Sequence, residues 1–149
     1  IHERLVGSEM CIRDSHKLAK RVTLHETDTM TALTKGPKFD LILSNPPYEP
    51  EGIYRRLPAE FKKEPKNSLV SGKDGLDVIR KLLTQAREAL KPHGVLVIEV
   101  GGLQQAMHQA WPKLPIMWLP TADGSDCVCL LHAADLRREL PSPSARRGR

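Results

Sequence analysis

Aromatic residues and cysteines are scarce in this chain of 149 residues. Aromatic residues make up 4% of the sequence, which disfavours a surface that stacks nucleic-acid bases. The three cysteines, an odd number, do not suggest a disulfide framework, so we expect a reducing, cytoplasmic setting. Long apolar runs are also lacking: none approaches the roughly 18 residues needed to cross a bilayer. We therefore expect no membrane partner.

Charge of one sign is concentrated at the C-terminal end. The net charge is +5, and residues 136–149 supply most of it through five arginines and a single acid. This stretch also contains Pro141, Ser142, Pro143 and Ser144, and we predict that it is a disordered basic tail. Such a tail can make weak contacts with RNA, although a solvated end without function is the favoured interpretation.

The first 15 residues, IHERLVGSEMCIRDS, have neither a helical nor an alternating pattern. They resemble translated read-through of a sequencing adapter, and we interpret them as a non-native segment. The alternative is a short first helix. The domain to be interpreted is then residues 16–135.

Strand-like and helix-like patterns alternate along this domain. Apolar or alternating runs predict strands at residues 21–26, 39–44, 94–100, 116–119 and 127–131. Apolar residues at helical spacing predict a helix over 74–90, ended by Pro92 and Gly94, and a short helix over 103–110. The alternation predicts an α/β domain with a mainly parallel sheet. In such sheets, ligands bind beyond the carboxyl ends of the strands.

A distinctive motif, Ser44-Asn45-Pro46-Pro47-Tyr48, follows the predicted strand 39–44. A tight turn would explain its asparagine and prolines, but a turn seldom needs Asn-Pro-Pro-aromatic directly after an apolar strand. We therefore favour a functional interpretation. The Asn45 side-chain carbonyl can accept one N–H of a target amide, and the backbone carbonyl of Pro46 can accept the other.

Such a loop suits methyl transfer to a nitrogen whose lone pair is delocalised. Catalysis of that reaction is chiefly positioning, since two carbonyl groups fix the nitrogen and favour the positive charge that develops on it. Pro46 and Pro47 stiffen the loop, and Tyr48 can cover a planar target group. No metal ion, covalent nucleophile or strong base is needed, and we assign no metal site.

The motif resembles the signature of class I S-adenosylmethionine-dependent methyltransferases, which have a Rossmann-like α/β fold. Glutamine methyltransferases and DNA amino-methyltransferases share it. The segment Glu64-Pro65, followed by Asp74-Gly75-Leu76, is similar to the HemK-type glutamine methyltransferases. The stretch 57–61, Leu-Pro-Ala-Glu-Phe, and the ending 114–119 most resemble the branch that modifies ribosomal protein L-three.

The resemblance implies a methyl transfer from S-adenosylmethionine to the side-chain amide nitrogen of a glutamine in a ribosomal protein. The catalytic residues would be Asn45, Pro46 and Tyr48, and substrate would contact these and Pro47. Asp28 and Asn45 would contact the cofactor, although a turn or helix cap explains Asp28 equally well.

The family's glycine-rich cofactor loop has no counterpart in the sequence, so the resemblance implies that the N-terminal part of the sheet is missing. Three alternatives remain: a release-factor glutamine methyltransferase, a nucleic-acid amino-methyltransferase, and a non-catalytic remnant. The mixed charges of residues 49–72 argue mildly against DNA.

Other candidate signals have simpler explanations. Cys127 and Cys129 lie two residues apart in a predicted strand, and core packing explains them better than a metal site, which needs more ligands. Gly101-Gly102 lacks the full dinucleotide fingerprint and is typical of a turn between a strand and a helix. We interpret Asp74 as a helix N-cap.

Overall fold

The structure, a computed structural model, describes residues 10–27 and 29–141. Residues 10–15 are helical and largely exposed. The helices and strands that follow are β1 Phe39–Ser44, α1 Glu51–Tyr54, α2 Asp77–Ala89, β2 Leu90–Glu99, α3 Gln104–Ala110, β3 Met117–Leu119, β4 Val128–His132 and α4 Ala133–Glu139. Single turns of 3-10 helix occur at Thr31–Leu33, Phe61–Lys63 and Lys66–Ser68.

The four strands form one sheet in the order β1-β2-β4-β3. Strands β1 and β2 pair in parallel, whereas β4 is antiparallel to both β2 and β3. Three strands therefore point the same way and one is reversed. The prediction of a mainly parallel sheet is wrong for the described sheet, because only the β1–β2 ladder is parallel and the other two ladders are antiparallel.

The core lies on one face of the sheet. Helix α2 buries one side through five residues, Ile79, Leu82, Leu83, Ala86 and Ala89. These join a single cluster with buried residues of the central strands and of α4, among them Leu96, Ile98, Leu131 and Leu136. Each large aliphatic side chain removed from water in this way contributes roughly 1.5–3 kcal/mol.

The opposite face of the sheet is much less covered. Because side chains alternate along a strand, the register places Leu41, Leu43, Val97, Leu130 and Met117 on this second face. Leu41 is 49% exposed, Leu43 is 69% exposed and Met117 is 54% exposed. Strand β1 is also an edge strand of the described sheet. It therefore combines exposed apolar side chains with backbone groups that have no partner strand among the described residues.

Helix α2 passes directly into β2 at Ala89 and Leu90. Phe39 pairs with Leu90, but Leu41 pairs with Val95, so β2 contains extra residues between these two pairs. Pro92 and Gly94 lie in this irregular stretch. A Cβ atom on Gly94 would lie 2.9 Å from the Phe39 carbonyl oxygen, which explains why glycine occupies that position. The two residues predicted to end the helix thus form the irregular start of the strand.

The start of α2 differs from the prediction. The helix begins at Asp77, not Asp74, because Gly72 and Gly75 both have positive φ angles, of 76° and 79°. The N-cap interpretation of Asp74 is wrong. Its carboxylate accepts a hydrogen bond from the Leu76 backbone N–H, at 3.1 Å, and forms an ion pair with Arg80.

Two other sequence expectations are corrected by the structure. The predicted strand 21–26 is absent, because no described strand pairs with these residues. The predicted tail begins too early, because Leu136 and Leu140 are buried in the core. Residues 142–149, and with them most of the predicted tail, lie outside the described residues.

The mixed α/β architecture with a four-stranded sheet is consistent with a methyltransferase fold. No described helix is long and apolar enough to cross a membrane.

Candidate functional site

The motif loop, residues 45–48, follows directly from the carboxyl end of β1. Ser44, the last residue of β1, pairs with Ile98 near the end of β2, so the loop leaves the sheet beside that neighbouring strand. Asn45 is exposed, Pro46 is buried and Tyr48 is half-buried. The buried Pro46 therefore anchors the loop, while Asn45 is exposed to solvent. Asn45 lies at the carboxyl ends of the strands, where α/β proteins bind ligands.

Both acceptor groups that the sequence analysis assigned to the substrate are unused within the described residues. None of these residues hydrogen-bonds the Asn45 side chain, and no described backbone donor bonds the Pro46 carbonyl. Two carbonyl oxygens of the motif loop are thus free to accept hydrogen bonds from a bound molecule.

A cavity of about 240 Å³ lies against the motif loop. Residues 45–48 form one wall, and Leu57, Phe61 and Leu69 contribute apolar surface from the other side. Glu49 and Glu64 add carboxylates to the lining. This volume lies below the roughly 300–1,000 Å³ of sites that hold drug-sized ligands, and it is of a size to take one amino-acid side chain.

Tyr48 is fixed at its hydroxyl and along its ring. The hydroxyl donates a hydrogen bond to a carboxylate oxygen of Glu99, at 3.1 Å. A Cβ atom on Gly101 would lie 2.5 Å from the Tyr48 ring, so only glycine leaves room for it. Burial, followed by the hydrogen bond to Glu99, raises the pKa of Tyr48 to about 12. The side chain is therefore a neutral hydrogen-bond donor at physiological pH.

The backbone around the motif loop is fixed by the residues before α2. The Glu49 N–H donates to the Leu69 carbonyl at 2.8 Å, and the Ser71 N–H donates to the Glu49 carbonyl at 2.9 Å. Gly75 lies so close that a Cβ atom there would be 2.3 Å from the Tyr48 carbonyl oxygen. The long segment after the motif thus returns to hold the motif in place.

A second cavity, of about 190 Å³, adjoins the other side of the motif. Thr29, Met30 and Leu43 line it together with Pro46 and Pro47, and its surface is largely apolar. Asp28, which the sequence analysis assigned to the cofactor, precedes Thr29 but lies outside the described residues.

Several curated proteins similar to this chain share one name. The ribosomal protein uL3 glutamine methyltransferase of Burkholderia pseudomallei is 36% identical over 130 residues, which are 83% of this chain and 42% of that protein. The proteins of that name from Bradyrhizobium diazoefficiens and Francisella tularensis are 43% and 41% identical over 122 and 121 residues. The chain is homologous to a part of the uL3 glutamine methyltransferases. It spans about two fifths of the length of the curated relatives it matches.

This homology to the uL3 glutamine methyltransferases confirms the resemblance that the sequence analysis drew from residues 45–48 and 57–61. No protein-family model matches this chain.

The structure brings together all four motif residues named as catalytic or substrate-binding, Asn45, Pro46, Pro47 and Tyr48, around one cavity. Glu99, Gly75 and Gly101, which support these residues, were not predicted from the sequence. Gly101 was interpreted only as a turn, and its φ of 52° agrees with that turn. The signal for Glu99 was a charged residue ending the most apolar strand of the chain.

The cysteines and other ligand-type residues suggest no metal site. Among the described residues, no group of three or more histidine, cysteine, aspartate or glutamate side chains could hold an ion. Cys129 is buried in the core of β4, as expected from the packing interpretation, and burial raises its pKa to about 12.

Proposed function

We propose that this chain carries the glutamine-positioning part of a uL3 glutamine methyltransferase. The reaction transfers a methyl group from S-adenosylmethionine to the side-chain amide nitrogen of a glutamine in ribosomal protein uL3. One observation carries the proposal: the Asn45 side chain and the Pro46 carbonyl, both without a described partner, stand at the wall of a cavity of about 240 Å³.

The two carbonyl groups match the two N–H bonds of a primary amide. A substrate glutamine that donates one N–H to Asn45 and the other to Pro46 has its nitrogen fixed in orientation. Carbonyl oxygens also favour the positive charge that develops on the nitrogen during methyl transfer. Holding the reacting groups close together in the correct orientation accounts for much of the reduction in the activation barrier. The motif loop therefore needs no acid, base or nucleophile.

The apolar part of the cavity suits the methylene groups of a glutamine. Leu57, Phe61 and Leu69 would pack against them, and the Tyr48 ring would cover the planar amide. Glu49 and Glu64 would disfavour a carboxylate on the substrate, which selects glutamine over glutamate through like-charge repulsion.

The described residues fit part of the proposed cofactor. The cavity of about 190 Å³ is largely apolar and could accept a planar ring such as adenine. Thr29 and Met30 would line the adenine, with Asp28 beside them in sequence. Pro46 and Pro47, which line both cavities, would lie between the adenine and the glutamine. When bound, S-adenosylmethionine supplies an activated methyl group. We extend the fold assignment accordingly to the class I methyltransferase type.

The substrate assignment rests on the relatives and on the entrance to the cavity. The relatives are named for uL3, and Leu57 and Phe61 belong to the stretch that resembles their branch. The charges along residues 49–72 are mixed, with five basic and four acidic side chains, which offers little attraction to a phosphate backbone. We place this activity in the cytoplasm, in keeping with the free state of the described cysteines Cys11, Cys127 and Cys129.

Contact with RNA remains a minor part of the proposal. Arg137 bonds the Leu90 carbonyl, and Arg138 pairs with Asp135 and Glu139. These two arginines have structural roles in α4. Any contact with RNA would fall to Arg146, Arg147 and Arg149, which lie outside the described residues.

A direct test supplies the rest of the enzyme from a relative. Residues 16–141 replace the matching segment of the Burkholderia pseudomallei protein, and the chimera is incubated with labelled cofactor and uL3, a release factor or DNA. Peptide mass spectrometry should locate the label on a uL3 glutamine. Label on a release-factor glutamine in preference to uL3, or on a DNA base, would overturn the substrate assignment.

The 149-residue chain itself is the second arm of this test. Calorimetry with S-adenosylmethionine should detect weak binding or none, because the cofactor loop expected for the family has no counterpart in its sequence. Micromolar binding would contradict that expectation and would favour activity of the chain alone.

A further inference from the structure

Glu99 is an unusual residue at the end of the central strand. It is the last residue of β2 and follows Ile98, which pairs with Ser44 of β1. Glu99 therefore lies beside the point where the motif loop begins. Its side chain is half-buried, and among the described residues no lysine, arginine or histidine forms an ion pair with it.

A half-buried carboxylate without a basic partner is costly unless hydrogen bonds stabilise it. The contact that Glu99 makes is the hydrogen bond from the Tyr48 hydroxyl, at 3.1 Å. Hydrogen bonds to an ionised acceptor are roughly twice as strong as neutral ones. The bond joins two residues 51 positions apart in sequence, so it ties the loop after β1 to the end of β2.

The strand end constrains Tyr48 at a second place. Two residues after Glu99, Gly101 turns the chain with a φ of 52°. A Cβ atom there would approach three atoms of the Tyr48 ring to between 2.5 and 3.1 Å. The ring thus lies against bare backbone while its hydroxyl is bound, and the two contacts together leave it little rotational freedom.

We propose that Glu99 is a positioning residue for the substrate glutamine, acting through Tyr48. The inference rests on the proposed function, since Tyr48 is taken to cover the substrate amide. Glu99 holds the ring in the cavity wall, and the ring in turn sets the plane in which the amide meets Asn45. Glu99 does not itself line the cavity.

The hydrogen bond predicts an ordered response to substitution. Glutamine at position 99 keeps a carbonyl acceptor of the same reach, so the ring should stay in place. Alanine removes the acceptor, so the ring should become free to rotate. A residue that merely filled space would show no such difference between the acceptor and the truncated side chain.

The test follows the Tyr48 ring by NMR in the full 149-residue chain. A Tyr54→Phe background with ¹³C-labelled tyrosine leaves Tyr48 as the sole signal. The ring shifts should be close to the parent's in Glu99→Gln and should average toward free tyrosine in Glu99→Ala. The pKa of Tyr48 should fall from about 12 in both variants, because a charged acceptor is lost. Glu139→Gln, on α4, serves as the matched control and should change neither quantity.

A second measurement connects the ring to the substrate. The same signal is followed while a short peptide with a central glutamine is added, and a glutamate peptide is the control. Glu99→Ala should weaken glutamine-peptide binding about 10-fold, and Glu99→Gln should restore most of it. Unchanged ring shifts and pKa in Glu99→Ala would overturn the proposal. Altered shifts with unchanged peptide affinity would overturn its substrate part.

Failure of the proposed function has a different signature. In that case the parent chain itself would bind the glutamine and glutamate peptides equally or not at all, which removes the substrate part of the inference. The ring shifts and the pKa would still decide whether Glu99 orients Tyr48. Should Glu99→Ala fail to fold, the fall in the Tyr48 pKa in Glu99→Gln decides the same point.

Discussion

The two walls of the cavity are held by different kinds of contact. The motif wall, residues 45–48, is fixed by distant parts of the chain: Glu99 and Gly101 hold the Tyr48 ring, and Gly75 packs on its carbonyl. The entrance segment, residues 55–68, is exposed except for Leu57. Its backbone hydrogen bonds are mostly local, such as Glu64 N–H to the Phe61 carbonyl.

This difference separates two tasks within one site. In the proposed function, the motif wall places two acceptors relative to one nitrogen, and distant parts of the chain determine its geometry. The entrance segment depends on short-range turns, so its side chains can change without disturbing the core. We infer that the chemistry is set by the motif wall and that the choice of protein substrate is set by the entrance segment.

The largest effect on the motif wall is expected from adding a methyl group at Gly101. Gly101→Ala should lower the free energy of unfolding by about 3 kcal/mol, because it combines a positive φ with a clash against the Tyr48 ring. Gly102→Ala is the matched control, since a Cβ atom there meets nothing within 4 Å. Urea denaturation measures both. Equal stabilities would show that the Tyr48 ring is not confined.

The next largest effect concerns Asn45. Asn45→Ala should reduce methyl transfer by the chimera on the order of 10²-fold, with little change in stability because Asn45 is exposed. Asn67→Ala, in the entrance segment, is the matched control and should leave turnover nearly unchanged. Initial rates with labelled cofactor measure both variants. Near-normal turnover by folded Asn45→Ala would refute its catalytic role.

A smaller effect is expected at the entrance. Phe61 is 42% exposed, so Phe61→Ala should change the free energy of unfolding by no more than about 0.5 kcal/mol. It should nevertheless raise the KM for uL3, because it removes apolar lining of the cavity, while kcat changes little. Steady-state kinetics of the chimera would show this. A fall in kcat with constant KM would contradict the division of tasks between the two walls.

The smallest effect is a dependence on pH before α2. The Arg80 guanidinium and the Leu76 N–H hold the pKa of Asp74 at about 2. A lowered carboxyl pKa contributes stability that is complete above the unfolded value, about 3.9, and is lost as pH falls toward 2. Since the pair is about half exposed, the loss should be below about 1 kcal/mol.

Urea titrations at pH 5 and pH 2.5 measure this loss. Arg80→Gln is the control, because it should remove most of the difference that is due to Asp74. A pH dependence that is unaltered in Arg80→Gln would assign the loss to other carboxyl groups.

The parts predictable from the sequence were those with strong local patterns. The apolar runs at 39–44 and 94–100 gave β1 and most of β2, and helical spacing gave α2, because buried elements need continuous apolar faces. The motif loop was recognisable because its prolines and asparagine follow such a strand directly. These patterns involve residues that are close in sequence, so they can be recognised without knowledge of the fold.

The features that were not predicted correctly all depend on contacts between residues that are far apart in the sequence. Residues 21–26 alternate like a strand, but a strand needs a neighbour and the described sheet provides none. Leu136 and Leu140 lie close to Arg137 and Arg138, and only the fold reveals that the first is buried within α4 and the second directly after it. The contact between Tyr48 and Glu99 spans 51 residues, and no local pattern predicts which strand ends will meet.

Strand β1 has a consequence for handling the protein. It presents the exposed Leu41 and Leu43 on a strand whose outer backbone groups lack a partner strand among the described residues. An apolar edge of this kind is a template on which other chains can add. The monomer fraction of the 149-residue chain should therefore fall as concentration rises, and a lysine in place of Leu43 should act as a gatekeeper that delays this self-association.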